Sequence, residues 1–208
     1  MSDESATIGL FPLGLVLLPD ETVPLHIFEE RYKLLINECR QLESEFGIIY
    51  AEEGSIASVG CAAAITAVID EMPDGRMNIM VKGMRRFRLD AVHEPVDAEA
   101  EYLLGEVEFF DDEEDGTDEY RQAAGAAYLE LLAVMGVPEP EIPVGEAPLS
   151  FRLAGSIDFG TEVKQNLLES LSESERLMEL AAAFTELIPK AEEQRKRTEA
   201  IRGNGKGI

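Results

Sequence analysis

Two histidines, His26 and His93, are the only imidazoles that could serve as a general base in this sequence. Neither sits in a setting that makes one. His26 lies in an apolar run and His93 at the end of an expected strand. No Gly-x-Ser-x-Gly elbow supplies a nucleophile for either of them to activate. The two cysteines, Cys39 and Cys61, are far apart and form no CxxC pair. Zinc sites need clustered Cys and His ligands, so the spacing argues against one, and two buried free thiols are expected. Carboxylates are abundant, with 42 Asp and Glu; an acid/base pair among them is the route left open to an uncharacterised carboxylate-based enzyme, while most of that number must simply be solvated. A glycosidase pair would usually be accompanied by aromatic sugar platforms, and the chain has no Trp. No Gly-x-x-x-x-Gly-Lys-Ser/Thr loop and no Gly-x-Gly-x-x-Gly turn is present, which removes the common nucleotide-binding motifs. Neither a cofactor nor a metal is expected.

Two clusters remain that could bind rather than react. Lys82, Arg85, Arg86 and Arg88 form the one basic cluster inside the folded region. It could hold phosphate or RNA, or it could be the basic solvent face of a strand that pairs with neighbouring acids. The formal charge of −24 favours pairing, because nucleic-acid affinity rests on cations that neutralise phosphates. Met72, Met77, Met80 and Met84 gather around the same segment. Methionine suits adaptable apolar binding surfaces and also fills ordinary cores. Met80 and Met84 fall on the face opposite Ile79 and Val81, which exposes them to a partner.

These residues need a scaffold, and hydrophobic spacing supplies its outline. Ile8 to Leu18, interrupted by Pro12 and Gly14, suggests two short strands joined by a turn. Pro19 to Thr22 is another turn before Val23 to Ile27. Phe28, Tyr32, Leu35, Cys39 and Leu42 recur at steps of four and three, one face of a helix. Ile48 to Tyr50 reads as a buried strand. Val59 to Ile69 and Met77 to Ala91 alternate on either side of Pro73-Asp74-Gly75, a turn in which Pro sets φ and Gly tolerates positive φ. Gly83 interrupts the return strand at an expected bulge or close approach. Tyr102 to Phe110 is a further strand. Then Asp111 to Asp115 places five carboxylates side by side, which reads as a solvated connector; it lacks the alternating ligand pattern of a calcium loop. Beyond it the chain is helical. One helix runs from about Tyr120 to Val134, ended by Gly136 and Pro138, and a proline-rich loop follows. Further helices cover Leu149 to Ile157, Thr161 to Leu171, and the segment after Ser172, where Ser172 and Glu175 have capping-box spacing. The expected fold class is therefore α+β. Residues 1–110 form a β-rich unit and 111–208 a helical one, with a frayed tail after 189.

The order of these motifs resembles a known family. Phe11-Pro12-Leu13-Gly14-Leu15-Val16-Leu17-Leu18-Pro19, followed by Pro24-Leu25-His26-Ile27-Phe28-Glu29-Glu30-Arg31-Tyr32, is similar to the opening of the N-terminal domain of Lon-type ATP-dependent proteases. Val59-Gly60-Cys61-Ala62, Asp74-Gly75 with Gly83-Met84-Arg85-Arg86-Phe87, and Lys164-Gln165-Asn166-Leu167-Leu168-Glu169 with Arg176-Leu177 continue the likeness over roughly residues 8–188. The resemblance implies a PUA-like pseudo-barrel followed by a helical bundle, and a role in selecting unfolded or damaged polypeptides. The ATPase and Ser-Lys peptidase modules of that family have no counterpart in these residues, so no position inherits a catalytic role. The expected partners are unfolded or damaged chains, or a protease or chaperone. The surface expected to meet them combines Leu15, Leu17, Leu18 and Pro19 with Met72, Met80 and Met84. Apolar binding of that kind depends little on salt.

Charge and composition set the remaining bounds. Fourteen acids and no Lys or Arg lie between Asp90 and Glu119. A field of that sign repels polyanions and attracts cationic chains, besides maintaining solubility. No apolar run is long enough to cross a membrane. The first residues carry Asp3 and Glu4 and no cation, unlike a signal peptide, so a cytoplasmic location is expected.

Overall fold

A computed structural model describes residues 4–95, 101–113 and 115–204, with side chains up to 197. Glu114 of the acidic connector and the last four residues of the expected tail lie outside the described residues. The chain forms two compact units. One comprises 1–112 with 154–169, the other 113–153 with 170–208.

The first unit is a closed sheet. Its strands are β1 (Glu4–Leu13), β2 (Thr22–Ile27), β3 (Phe46–Glu52), the two-residue β4 (Ser55–Ile56), β5 (Val59–Glu71), β6 (Met77–His93) and β7 (Leu103–Phe109). They run in the order β1-β7-β6-β5-β3, and β1 also pairs with β3 in parallel, so the five strands close on themselves. Closure removes the free edges of an open sheet. Leu10, Ile49, Ala62, Phe87, Val107 and Phe109 fill its core. Phe87 lies so close to Gly60 that a Cβ at Gly60 would collide with the ring, which gives the Gly of the sequence motif its reason. Helix α1 (Glu30–Leu42) buries Tyr32, Leu35, Ile36 and Cys39, and Tyr32 stacks on Phe11 with ring centroids 3.9 Å apart. The expected strand pair in Ile8 to Leu18 is one strand, β1, followed by irregular chain to Glu21.

β6 is long enough to serve two sets of neighbours. From Arg86 onward it pairs with β7 and the start of β5, whereas Met77 to Lys82 pairs with β2 and the far half of β5. Gly83 marks the change. Its N–H donates to the Glu21 carbonyl, and its own carbonyl accepts from Asp20 N–H, both at 2.9 Å. A Cβ there would fall on the Leu18 carbonyl oxygen, so the expected close approach is backbone against backbone.

Helix α4 (Thr161–Glu169) belongs to this unit, which departs from the division expected at residue 110. Lys164 forms an ion pair with Glu21. Gln165 donates to the Val59 carbonyl at 3.1 Å and to Glu169 at 2.7 Å. Leu167 and Leu168 are buried. The helical motif thus consists of attachments to strands more than a hundred positions earlier, and sequence periodicity carries no signal of such partners.

The second unit contains α2 (Asp118–Met135), α3 (Leu149–Gly155) up to Leu153, and α5 (Glu173–Asn204). Thr117 caps α2 through Tyr120 N–H, and Gly136 ends it in the left-handed conformation. Tyr128 meets Phe184 edge-on at 5.5 Å. Ser172 Oγ accepts from Glu175 N–H at 3.0 Å, the half of the expected capping box that holds the helix start. The tail expected to fray after 189 is instead helical to Asn204, with Pro189 inside the helix. One Pro removes a single backbone bond. Beyond it, Glu192–Lys196 and Glu193–Arg197 form pairs at i,i+4 spacing, which support the continued turns.

The acidic connector is also more than a solvated link. Asp115 accepts from the Ser172 hydroxyl and from Ser174 N–H, the latter at 3.2 Å. The Ser172 bond in particular holds its carboxyl below the usual 3.8. A depressed pKa gives stability that is present above the unfolded value and is lost as pH falls through the folded one. Asp115→Ala is therefore expected to lower the melting temperature more at pH 7 than at pH 2.5. Thermal unfolding at the two pH values checks this, and an equal loss at both would refute it.

Candidate functional site

The half of the β5–β6 hairpin nearest its turn, Ala64 to Glu71 with Met77 to Lys82, makes a three-stranded ribbon with β2 beside it. Alternation along β6 decides its two faces. Met77, Ile79 and Val81 are fully buried on one side, with Leu25 and Ile27 of β2 beside them. The other side points away from that core and carries Asn78, Met80 and Lys82. Register then sets what lies next to each. Met80 stands between Pro24 of β2 and Ala67 of β5, Asn78 between His26 and Asp70, and Lys82 between Thr22 and Ala64. The middle row is apolar across all three strands, with Met80 half-buried and Pro24 and Ala67 exposed. In the next row His26 Nδ1 and Asn78 Oδ1 share a hydrogen bond at 2.7 Å. His26 also stacks on Phe28, centroids 5.8 Å apart, and Phe28 is 57% exposed.

Among the described residues, no strand pairs with β2 on the side away from β6, or with β5 beyond Ala63 on the side away from β6. Both edges are blunted. Pro24 lacks an N–H, and β5 is offset from β6 by register shifts between Ile65 and Ala67 and between Val68 and Asp70. Such irregularities discourage strand addition, which leaves the face rather than the edge as the surface for a ligand.

The residues expected to bind are only partly assembled here. Met80 lies at the centre of the face. Met72 sits half-buried at the hairpin turn, where its N–H donates to the Arg76 carbonyl at 2.8 Å. Met84 is exposed but lies past Gly83, outside the ribbon. Leu15 is half-buried. Leu17, Leu18 and Pro19 are buried, and here the expectation is corrected. Their segment does run beside the methionine strand, through Gly83, but it turns its side chains into the core. Apolar residues that can be buried lose more by facing water than by filling the interior. Sequence reading missed Pro24, Ala67 and Asp70. The alternation of β2 hints at Pro24, but which residues it meets depends on a pairing 56 positions away and on bulges.

The anion-binding alternative meets a plain obstacle. Every Lys and Arg of this unit faces a carboxylate: Arg31 with Glu29, Lys33 with Glu30, Arg40 with Glu71, Arg76 with Asp74, Lys82 with Asp20, Arg85 with Glu4, Arg86 with Asp112, Arg88 with Glu108 and Lys164 with Glu21. Arg86 is in addition only 4% exposed, so it does not stand on the basic solvent face expected of it. It reaches inward because Asp112, the Leu168 carbonyl at 2.8 Å and the Phe110 ring at 4.5 Å all receive its guanidinium.

The groups considered for chemistry are dispersed. His26 is exposed on the ribbon and His93 pairs with Glu106 at 2.7 Å. Cys39 and Cys61 are both buried free thiols, and burial pushes both thiols above their ordinary pKa, away from the reactive thiolate. Among the described residues, no group of three His, Cys, Asp or Glu is placed to hold a metal ion, and no helix is long and apolar enough to cross a membrane.

Comparison with known proteins bears on the whole arrangement. The family model of the ATP-dependent protease La (LON) substrate-binding domain matches residues 7–183. A Lon protease of Lawsonia intracellularis (strain PHE/MN1-00) is 29% identical over 194 residues, covering 83% of this chain and 22% of that protein. A Lon protease of Parabacteroides distasonis is 29% identical over 146 residues, covering 64% of this chain and 17% of that protein. The chain therefore spans less than a quarter of the length of these curated relatives. Among solved structures, a Lon N-terminal domain protein from Xanthomonas campestris has a TM-score of 0.66 at 26% identity, over 85% of this chain and 98% of that one. The N-terminal domain of a Mycobacterium avium complex Lon protease shares the fold, with a TM-score of 0.63 at 21% identity, over 86% and 98% of the two chains.

Proposed function

We propose a function from one premise: the chain belongs to the ATP-dependent protease La (LON) substrate-binding domain family. It works as a substrate-recognition module that holds unfolded or damaged polypeptides by their exposed apolar segments, without making or breaking covalent bonds. In a cell it would act in protein quality control, as an adaptor beside a protease or chaperone. The observation that carries this reading is the outer face of the ribbon, where Pro24, Met80 and Ala67 form an apolar row open on one side of a sheet whose other side is packed. A half-buried Met in such a row offers polarizable contact to side chains of many shapes. The pairing of every cation in the unit speaks against phosphate or RNA as the ligand, because affinity for a polyanion would have to displace those carboxylates.

The test is binding of a reduced, carboxymethylated polypeptide, followed by fluorescence anisotropy. Met80→Asp places a charge in the middle of the row and is expected to weaken binding by tenfold or more, equivalent to about 1.4 kcal/mol. Unchanged affinity in that variant would remove the ribbon face from the reading. Failure of the native protein to bind any unfolded chain would end the reading altogether.

A further inference from the structure

The row next to the apolar one has an uneven charge. Asp70 of β5 lies in register with Asn78, and through it with His26. His26 and Asn78 satisfy one another. The Asp70 side chain is exposed and makes no ion pair or hydrogen bond among the described residues. Its neighbours on the ribbon are already matched: Lys82 with Asp20 at 2.6 Å, Arg40 with Glu71 at 3.2 Å and Arg76 with Asp74 at 2.7 Å. No cation of this unit is left over to neutralise it, because each already faces another carboxylate.

We propose that the outer face of the ribbon takes a polypeptide segment in which a Lys or Arg stands close to an apolar residue, the apolar side chain lying on the Pro24–Met80–Ala67 row and the cation meeting Asp70. This rests on the polypeptide-binding reading and adds the chemistry of the segment. Successive rows on one face of a strand are about 7 Å apart, and so are side chains i and i+2 of an extended chain. An extended segment aligned with the strands therefore sets an apolar residue and a cation two positions away over adjacent rows. The complementarity extends beyond the contact, since the net charge of −24 draws cationic segments in and turns acidic ones away. Binding then acquires a salt dependence that a purely apolar surface would lack.

The experiment compares three synthetic peptides of equal length on the intact protein, each with leucine at every fourth position and serine at the odd-step neighbours: in the first, lysine stands two positions after each leucine, in the second glutamate takes that place, and in the third serine does. The native protein is expected to prefer the lysine peptide, with the preference shrinking as salt rises from about 50 mM to 0.5 M. Asp70→Asn should weaken the lysine peptide on the order of threefold, as an exposed charge contact is worth. Asp70→Lys should weaken it further and leave the serine peptide nearly untouched. Glu162→Gln and Glu162→Lys, at the exposed start of α4, make the same charge changes away from the ribbon and should have little effect. Equal affinity for the lysine and serine peptides, or indifference to Asp70, would overturn this inference while leaving the polypeptide-binding reading intact. Equal losses at Glu162 and Asp70 would also overturn it, because the attraction would then be diffuse. If none of the peptides nor the carboxymethylated chain binds, both readings fall together.

Discussion

Arg86→Ala should lose about 3 kcal/mol of stability, measured by urea unfolding, because it removes a buried cation and leaves a half-buried carboxylate without its partner. Arg86 sits between three groups that come together only in the folded first unit: the Asp112 carboxylate, the Leu168 carbonyl and the Phe110 ring. Removing the guanidinium strands the first, leaves the second without its donor and uncovers the third. Arg86→Glu should be worse, since two carboxylates would then share one enclosed space. The double replacement Arg86→Met with Asp112→Leu tests the assignment. Replacing both charges by apolar groups of similar size is often nearly neutral, so part of the loss should return. A residual deficit of about 1–3 kcal/mol is expected from the Leu168 carbonyl, which keeps its position but not its donor. A loss below 1 kcal/mol in Arg86→Ala would mean that the guanidinium contributes little. Weaker RNA binding by Arg86→Glu would therefore report unfolding.

Arg176→Ala should have a comparable effect in the helical unit, about 3–5 kcal/mol. Arg176 is fully buried at the start of α5. Its guanidinium donates to Ser150 Oγ, the Ser170 carbonyl and Glu173, each at 2.8 Å, and lies 4.2 Å over the Phe151 ring. Glu173 in turn accepts from Ser150 N–H at 3.1 Å and from the Ser150 hydroxyl. One side chain thus joins the beginning of α3 to the beginning of α5. Arg176→Lys keeps the charge but not the planar fork, and a single ammonium cannot point at three partners set in the guanidinium plane. Arg176→Lys should therefore recover only part of the loss. Full recovery would show that charge alone matters there. Helix content by circular dichroism, followed with urea, separates these outcomes.

Neither residue announces its role in the sequence. Both belong to motifs that carry the family resemblance, Gly83 to Phe87 and Arg176-Leu177. Position in the sequence groups Arg86 with Lys82, Arg85 and Arg88. Side chains on a strand alternate between faces, and the register shift between Cys61 and Ala63 disturbs any simple count of which face each takes. The other three stand at the surface, and only Arg86 points inward.

What the sequence determined by itself was local and periodic. Alternation in Val59 to Ile69 and Met77 to Ala91, with Pro73-Asp74-Gly75 between them, was enough to place the long hairpin. Spacing by threes and fours placed α1 and α2. The ordered motifs pointed to the family, and the surplus of acids to a partner that is not a polyanion. Tertiary structure alone decided which apolar residues face water. Leu17 and Met80 are both apolar, yet one lies in the core and the other in an open row, because burial depends on which strand arrives from the far side. It also decided that α4 joins the sheet, that Asp112 and Asp115 in the acidic run serve as partners for Arg86 and Ser172, and that Asp70 stays unmatched. Those outcomes follow from pairings between segments, 26 positions apart for Arg86 and Asp112 and 106 for Val59 and Gln165, and no periodicity within a segment encodes them.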